Sequence, residues 1–184
     1  MKKLKRTVLA TLLGISLAPA SAILGSTSAQ ADDVVRWKTI IGIIQPNNLV
    51  GSGTGQVTGG GSPWSTLGGE AIVNLRTGLI EFNVRGLVRA GGNAIGIPES
   101  LVGPLTEVKG TLVCDTDGSA GAGNSTLVDT DLVPISSTGN AQFNGFVAVP
   151  AACLEPDIAF LVRILAGQRW IANGAVRQSD RDSD

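Results

Sequence analysis

The chain has 184 residues with 14 basic and 15 acidic side chains, two cysteines, no histidine and no tyrosine. Without histidine, the Ser-His-Asp and Cys-His types of catalytic site are excluded, and a charge near zero argues against nucleic acid as a partner. The sequence also lacks a Gly-rich Lys-Ser/Thr phosphate loop and the spacing of zinc ligands.

The N-terminus predicts a cleavable signal peptide. Four basic residues within the first six precede the apolar run Val8–Leu17, and small residues follow. We predict cleavage after Ala31, because acidic residues begin the remaining chain; cleavage after Ala22 is the alternative. A membrane anchor is a weaker interpretation, since Pro19 and Ser21 interrupt the run well short of the ~20 apolar residues that a span requires.

Residues 1–31 are therefore expected to leave, and residues 32–184 to form one domain with a short polar C-terminal tail. Its 10 basic and 15 acidic residues give a net charge of about −5. This length is sufficient for a substantial core, and no linker divides it. The protein is expected to be secreted or periplasmic, with no membrane span in the mature chain.

The mature chain predicts strands almost everywhere and no helix. In chain order they cover Val34–Ile44, a hairpin over Gly69–Leu87 that turns at Thr77-Gly78, Leu105–Cys114, Thr126–Ile135, Ala141–Val149, and a last hairpin from Phe160 to Ala172 that turns at Ala166-Gly167. The segment IIGIIQP, residues 40–46, is apolar on both faces, which predicts a covered strand that ends near Pro46. Glycines concentrate at 51–61 and 91–103 and predict long, mobile connections.

About eight short strands between Gly, Asn, Pro and Ser clusters favour an all-β antiparallel sandwich over a barrel. The first hairpin reads G-x-A-x-V-x-L-x-T-G-x-I-x-F-x-V-x-G-L from Gly69 to Leu87. It resembles the opening hairpin of CHRD-type extracellular modules, and the whole mature chain resembles secreted bacterial β-sandwich proteins. The resemblance implies an immunoglobulin-like or dismutase-like sandwich. The histidines typical of CHRD modules have no counterpart here, so it implies no metal site.

Cys114 and Cys153 predict a disulfide, because an even number of cysteines in an exported protein most simply forms bridges. The bridge would close a loop of about 40 residues and stabilise the fold by roughly 4 kcal/mol. Two buried free thiols are the alternative.

The segment CDTDGSAGAGNSTLVDTD, residues 114–131, raises the question of a calcium loop. An EF-hand that begins at Asp115 fails, because glycine and glutamate are missing from the required positions. We predict a solvated hairpin loop, with weak calcium binding at Asp115, Asp117, Asp129 and Asp131 as the alternative. Within a strand, Asp129 and Asp131 share a face, so water, a cation, or a basic neighbour such as Lys109 or Arg163 must relieve their repulsion.

Trp64 is the one aromatic residue that the sequence nominates as a possible ligand contact. It lies in the Gly-rich stretch GGGSPWSTLGG, which predicts a flexible loop. An exposed indole there could stack on a sugar or on a protein. The favoured alternative is that Trp64 folds over an open end of the sandwich, because large aromatic side chains are usually buried. Trp37 and Trp170 lie in strand patterns and are predicted core residues.

These observations predict a secreted structural or protein-interaction domain, with an extracellular small-ligand or glycan-binding module as the alternative. The expected partner is an extracellular protein or glycan, and no cofactor is implied. Enzymatic activity is not expected. The carboxylate pairs Glu70/Glu81 and Glu99/Glu107 are the residues that could act on a glycosidic bond, but carboxylates in such a protein are usually solvated.

Overall fold

Antiparallel strands make up most of the computed structural model, which describes residues 33–91, 105–120, 122–153 and 156–178. These residues fall in one compact unit, Ala31–Asp184. The predicted signal peptide, the Gly-rich connection over 92–104 and the polar tail after residue 178 lie outside the described residues.

In the described ranges, the strands alternate with turns, and Gly53–Gly55 and Ala166–Gln168 form short 3-10 turns. Eight of the described strands have four residues or more, and five have two. Their bounds are β1 Val34–Gly42, β2 Leu49–Val50, β3 Val57–Thr58, β4 Trp64–Ser65, β5 Gly68–Asn74, β6 Leu79–Arg85, β7 Val88–Arg89, β8 Glu107–Cys114, β9 Thr126–Asp129, β10 Val133–Pro134, β11 Ala141–Phe146, β12 Ile158–Ile164 and β13 Trp170–Gln178.

One large sheet has the strand order β10-β8-β12-β13-β1-β5-β6-β11, and β9 also pairs with β8. All its pairings are antiparallel, and the sheet curls into a half-barrel. Two small two-stranded sheets accompany it, β2 with β3 and β4 with β7. The all-β antiparallel prediction is confirmed.

Four aromatic rings lie at the centre of the core, on the inner face of the sheet. The ring of Phe160 lies 5.8 Å from that of Trp37 and 5.5 Å from that of Phe82, and Phe82 stacks on Phe143 at 6.0 Å. These residues come from four different strands, so their contacts hold the curl of the sheet. The prediction that Trp37 and Trp170 belong to the core is confirmed, since both are almost fully buried.

The outer face of β8 is buried as well. Leu112 and Val113 point to opposite faces, yet neither is exposed to solvent. Val113 is covered by the segment around Gly51, and the backbone N–H of Ser52 donates to Ser125 Oγ at 2.7 Å. The chain between β2 and β3 therefore forms a partial second layer over β8. This part of the connection over 51–61, which the glycines predicted to be mobile, packs against the sheet.

The first hairpin is confirmed, with β5 and β6 paired from Gly68–Arg85 to Val73–Ile80. Gly78 has φ +77° at the turn, a conformation that favours glycine, and its N–H donates to the carbonyl of Asn74 at 2.8 Å. The last hairpin is also confirmed, by β12 and β13 on either side of the second 3-10 turn.

Four predicted strands differ from the structure. β8 begins at Glu107 rather than Leu105, and β11 ends at Phe146 rather than Val149. β1 ends at Gly42, and Ile41 and Ile44 are 38% and 80% exposed, so the prediction of a strand covered on both faces was wrong. The predicted strand Thr126–Ile135 divides into β9 and β10. The division occurs at Thr130, which follows Asp129 and whose hydroxyl accepts a hydrogen bond from the N–H of Gly110 at 2.9 Å. The N–H of Thr130 still donates to the carbonyl of Gly110 at 2.9 Å, so the side chain replaces one of the two backbone hydrogen bonds that would pair these residues.

The disulfide between Cys114 and Cys153 is confirmed and almost fully buried. It joins the end of β8 to the segment before β12. Within the described ranges, the structure contains no helix with the length and apolar character needed to cross a membrane.

Candidate functional site

The edge strand β11 is the part of the sheet most open to pairing. β11 pairs with β6 from Ala141–Val84 to Phe146–Leu79, and no described strand pairs with its other side. Its sequence, AQFNGF, contains no charged residue and no proline. Phe146 at its end is 74% exposed. Unpaired backbone groups along such an edge can pair with another strand.

The opposite edge of the sheet is protected against such pairing. It consists of the short strands β9 and β10, which are interrupted at residues 130–132. Pro134 lacks an N–H group, and Asp131 exposes a carboxylate along this edge. The two edges of the same sheet therefore differ in their capacity to bind a strand.

The outer face next to β11 carries amide and carboxylate side chains. Asn83 Nδ2 donates to Glu70 Oε1 at 3.2 Å, and Asn144 Nδ2 donates to Glu81 Oε1 at 2.9 Å. Gln142 lies on the same face, opposite Asn83. These groups line a shallow groove of about 390 Å³ across β5, β6 and β11.

Trp64 does not lie in a flexible loop. It belongs to β4, which pairs with β7 at Arg89, and its backbone N–H donates to the carbonyl of Ile43 at 2.8 Å. Its side chain is almost fully buried, with the guanidinium carbon of Arg89 5.8 Å from the ring centroid. Burial agrees with the interpretation of Trp64 as a cover for an open end of the fold, and contact with a ligand stays a prediction.

Residues 115–120 and 122–125 belong to the predicted hairpin loop between β8 and β9, but Asp115 is buried rather than solvated. Both its carboxylate oxygens accept from the N–H of Ala120 at 3.1 Å. Asp117 Oδ1 accepts from the N–H of Ser119 at 2.9 Å, and this bond lowers the pKa of Asp117. N–H groups of the loop therefore donate to both carboxylates. The expectation of a solvated loop is corrected at Asp115, which is buried, whereas Asp117 is exposed, as expected.

Asp129 is paired with the basic residues that the sequence named. Its carboxylate accepts from Lys109 Nζ at 2.5 Å, Thr111 Oγ1 at 2.6 Å and Arg163 Nη1 at 3.1 Å. Burial works to raise the pKa of Asp129, but the hydrogen bonds from Lys109 and Thr111 and the charge of Arg163 outweigh it and lower the pKa. Asp131 lies outside this network and is exposed.

The chemistry of the carboxylate clusters is limited. Among the described residues, no three Asp, Glu or Cys side chains are grouped closely enough to hold a metal ion. Glu70 and Glu81 lie on the same outer face of neighbouring strands, where amides and Arg36 contact them. Glu99 lies outside the described residues, so its predicted pairing with Glu107 has no structural counterpart.

Sequence reasoning missed two features. β11 was predicted as a strand, but its place at an edge depends on pairing that the sequence does not reveal. Arg89 was not singled out either, although a lone arginine in an apolar stretch, GLVRAGG, was visible. Its contact with Trp64 comes from the pairing of β4 with β7, and both strands have only two residues.

Comparison with known proteins gives no further guide, because no family model, no curated protein and no solved structure matches the chain. The likeness of the first hairpin to CHRD-type modules therefore stays a resemblance in one segment.

Proposed function

We propose that the protein is an exported structural domain that assembles through the edge of β11, with a second copy of the same chain as its partner. The observation that carries this proposal is the contrast between the two edges of the large sheet. One edge is short, interrupted and charged, whereas β11 offers six uncharged residues in a row. The predicted signal peptide and the buried disulfide support export.

A second copy fits β11 because the strand is complementary to itself. Antiparallel pairing about a twofold axis places residues of the same face opposite one another. In the register centred on Phe143, Gln142 of one copy comes opposite Asn144 of the other, so amide faces amide. No like charges within β11 oppose this pairing.

The experiment is a measurement of mass in solution over a concentration series that reaches the millimolar range, on the mature chain. We expect a dimer that Asn144→Lys converts to a monomer, because a lysine on an edge strand opposes pairing. The new ammonium group can still contact Glu81, which preserves the fold. Leu132→Lys, on the opposite edge, is the matched control and should leave the dimer unchanged. A mature chain that stays monomeric throughout would refute the proposal.

A glycan-binding module remains the second candidate, and the exposed Phe146 favours it. Phe146 shares the outer face of β11 with Asn144, whose amide contacts Glu81. An aromatic ring beside amide and carboxylate groups can stack on a sugar and bind its hydroxyls. Capture on a glycan array that Phe146→Ala abolishes and Leu49→Ala preserves would support this function. Leu49 is a suitable control because it is an exposed apolar residue on a different sheet.

We likewise propose the immunoglobulin-like or dismutase-like sandwich as the finer fold type. The partial second layer that the chain between β2 and β3 forms over β8 supports this proposal.

A further inference from the structure

A cavity of about 270 Å³ lies beside Trp64, where β7, the beginning of β8 and the end of β12 meet. Leu105, Ile164 and Leu165 form its apolar wall, and Arg89 and Glu107 supply its charged groups. The cavity is separate from β11 and its outer face, so an inference about it does not depend on assembly at that edge.

Arg89 is the group in this cavity that lacks a partner. Its Nε atom is buried and makes no hydrogen bond, and no described carboxylate forms an ion pair with its guanidinium. The guanidinium carbon of Arg89 lies 5.8 Å from the centroid of the Trp64 ring. Buried donors in proteins are nearly always paired, so a half-buried guanidinium that lines a cavity and leaves its Nε donor unpaired indicates a ligand that accepts hydrogen bonds.

The chemistry of the wall narrows the class of that ligand. A guanidinium binds a carboxylate through two parallel hydrogen bonds, and the apolar wall suits a hydrocarbon body attached to it. Glu107 contributes a negative charge to the same wall, which opposes a second negative charge on the ligand. We propose that the cavity between Arg89, Trp64 and the apolar wall binds a small monocarboxylate with an apolar body.

The test uses N-acetyl-leucine as the probe, because it combines one carboxylate with a branched apolar side chain. Calorimetric titration of the mature chain should give saturable binding, and the fluorescence of Trp64 should change with it. N-acetyl-leucinamide, which has no carboxylate, should bind at least about tenfold more weakly, since a hydrogen bond to a charged group contributes that much or more.

Two variants assign the binding to the cavity. Arg89→Gln should weaken the binding of N-acetyl-leucine at least about tenfold. Arg85→Gln, at an exposed arginine on β6, is the matched control and should leave the affinity unchanged. Leu165→Trp narrows the cavity without altering Arg89 and should also weaken the binding of N-acetyl-leucine. This variant replaces Arg89→Gln in the test if Arg89→Gln does not fold.

Three results would each overturn the proposal. These are the absence of saturable binding up to millimolar N-acetyl-leucine, equal affinity for the acid and the amide, and unchanged affinity in a folded Arg89→Gln variant.

Discussion

Asp129 forms ion pairs with two basic side chains that have little access to water. The side chains of Lys109 and Arg163 are 12% and 6% exposed, and both contact its carboxylate. Arg163 also donates from Nε to the carbonyl of Gln168 at 3.0 Å, so the network extends to the turn between β12 and β13. Asp129, which the sequence offered as a candidate calcium ligand, therefore links β8, β9 and β12.

Replacement of Asp129 by asparagine should lower the free energy of unfolding by about 1–3 kcal/mol, because it leaves two poorly solvated cations without a counter-charge. The larger loss of stability that follows when a fully buried ion pair is broken does not apply, since the Asp129 carboxylate is 37% exposed. Denaturant unfolding monitored by tryptophan fluorescence measures the change. Asp131→Asn removes an exposed carboxylate two residues away and should change stability little. Equal effects of the two variants would contradict this role for Asp129.

The same residue predicts a dependence on pH. The pKa of Asp129 is lower in the folded chain than its ordinary value near 4, so its contribution is fully present above the unfolded pKa. The contribution is lost as the pH falls through the folded pKa. The difference in stability between the wild-type chain and Asp129→Asn should therefore be constant near neutral pH and shrink below about pH 4. A difference that grows on acidification would show that the carboxylate is not stabilising.

At the scale of elements, the loop between β8 and β9 contains two aspartates whose carboxylates accept hydrogen bonds from backbone N–H groups of the loop. Asp115 binds the N–H of Ala120, and Ser125 Oγ donates to the carbonyl of Asp115 at 2.7 Å. Asn124 Oδ1 accepts from the N–H of Thr54 at 2.8 Å, which fixes the loop to the 3-10 turn after β2. To bind at Asp115, calcium would have to compete with the N–H of Ala120 for a buried carboxylate.

Thermal melts of the mature chain with calcium and with chelator should consequently coincide. The loop gains nothing from the ion, because the ligands it would need are bound to backbone N–H groups in its absence. The double variant Asp115→Asn with Asp117→Asn supplies the control, since any effect of calcium at this loop must vanish in it. A rise of several degrees with calcium that the double variant abolishes would establish a site here.

At the scale of the whole molecule, the sequence predicts those parts of the fold that depend on local pattern. Period-two alternation located the β5–β6 hairpin, and Gly78 identified its turn because only a few residues accept a positive φ. The two-residue strands β4 and β7 have no such pattern and form through contacts between distant segments. For the same reason the cavity beside Arg89 and the free edge of β11 could not be predicted, because both depend on which strands pair with each other.

The disulfide has an effect on the whole sheet that follows from its position. Cys114 and Cys153 are 39 residues apart, and β9, β10 and β11 all lie between them. Both free edges of the large sheet therefore belong to the loop that the bridge closes. A cross-link over a loop of this length contributes about 4 kcal/mol to the stability of the folded chain.

Removal of the bridge by Cys114→Ala with Cys153→Ala should lower the free energy of unfolding by about that amount. The loss should also be uneven: amide exchange should accelerate most in β9 and β11, which have strand partners on one side, and least in β1 and β13, which are paired on both sides. Denaturant unfolding and hydrogen exchange by mass spectrometry measure the two effects. The oxidised wild-type chain is the reference, and the chemically reduced wild-type chain should behave like the double variant. A uniform acceleration across all strands would mean that the bridge acts only on the unfolded chain and does not hold the edges of the sheet.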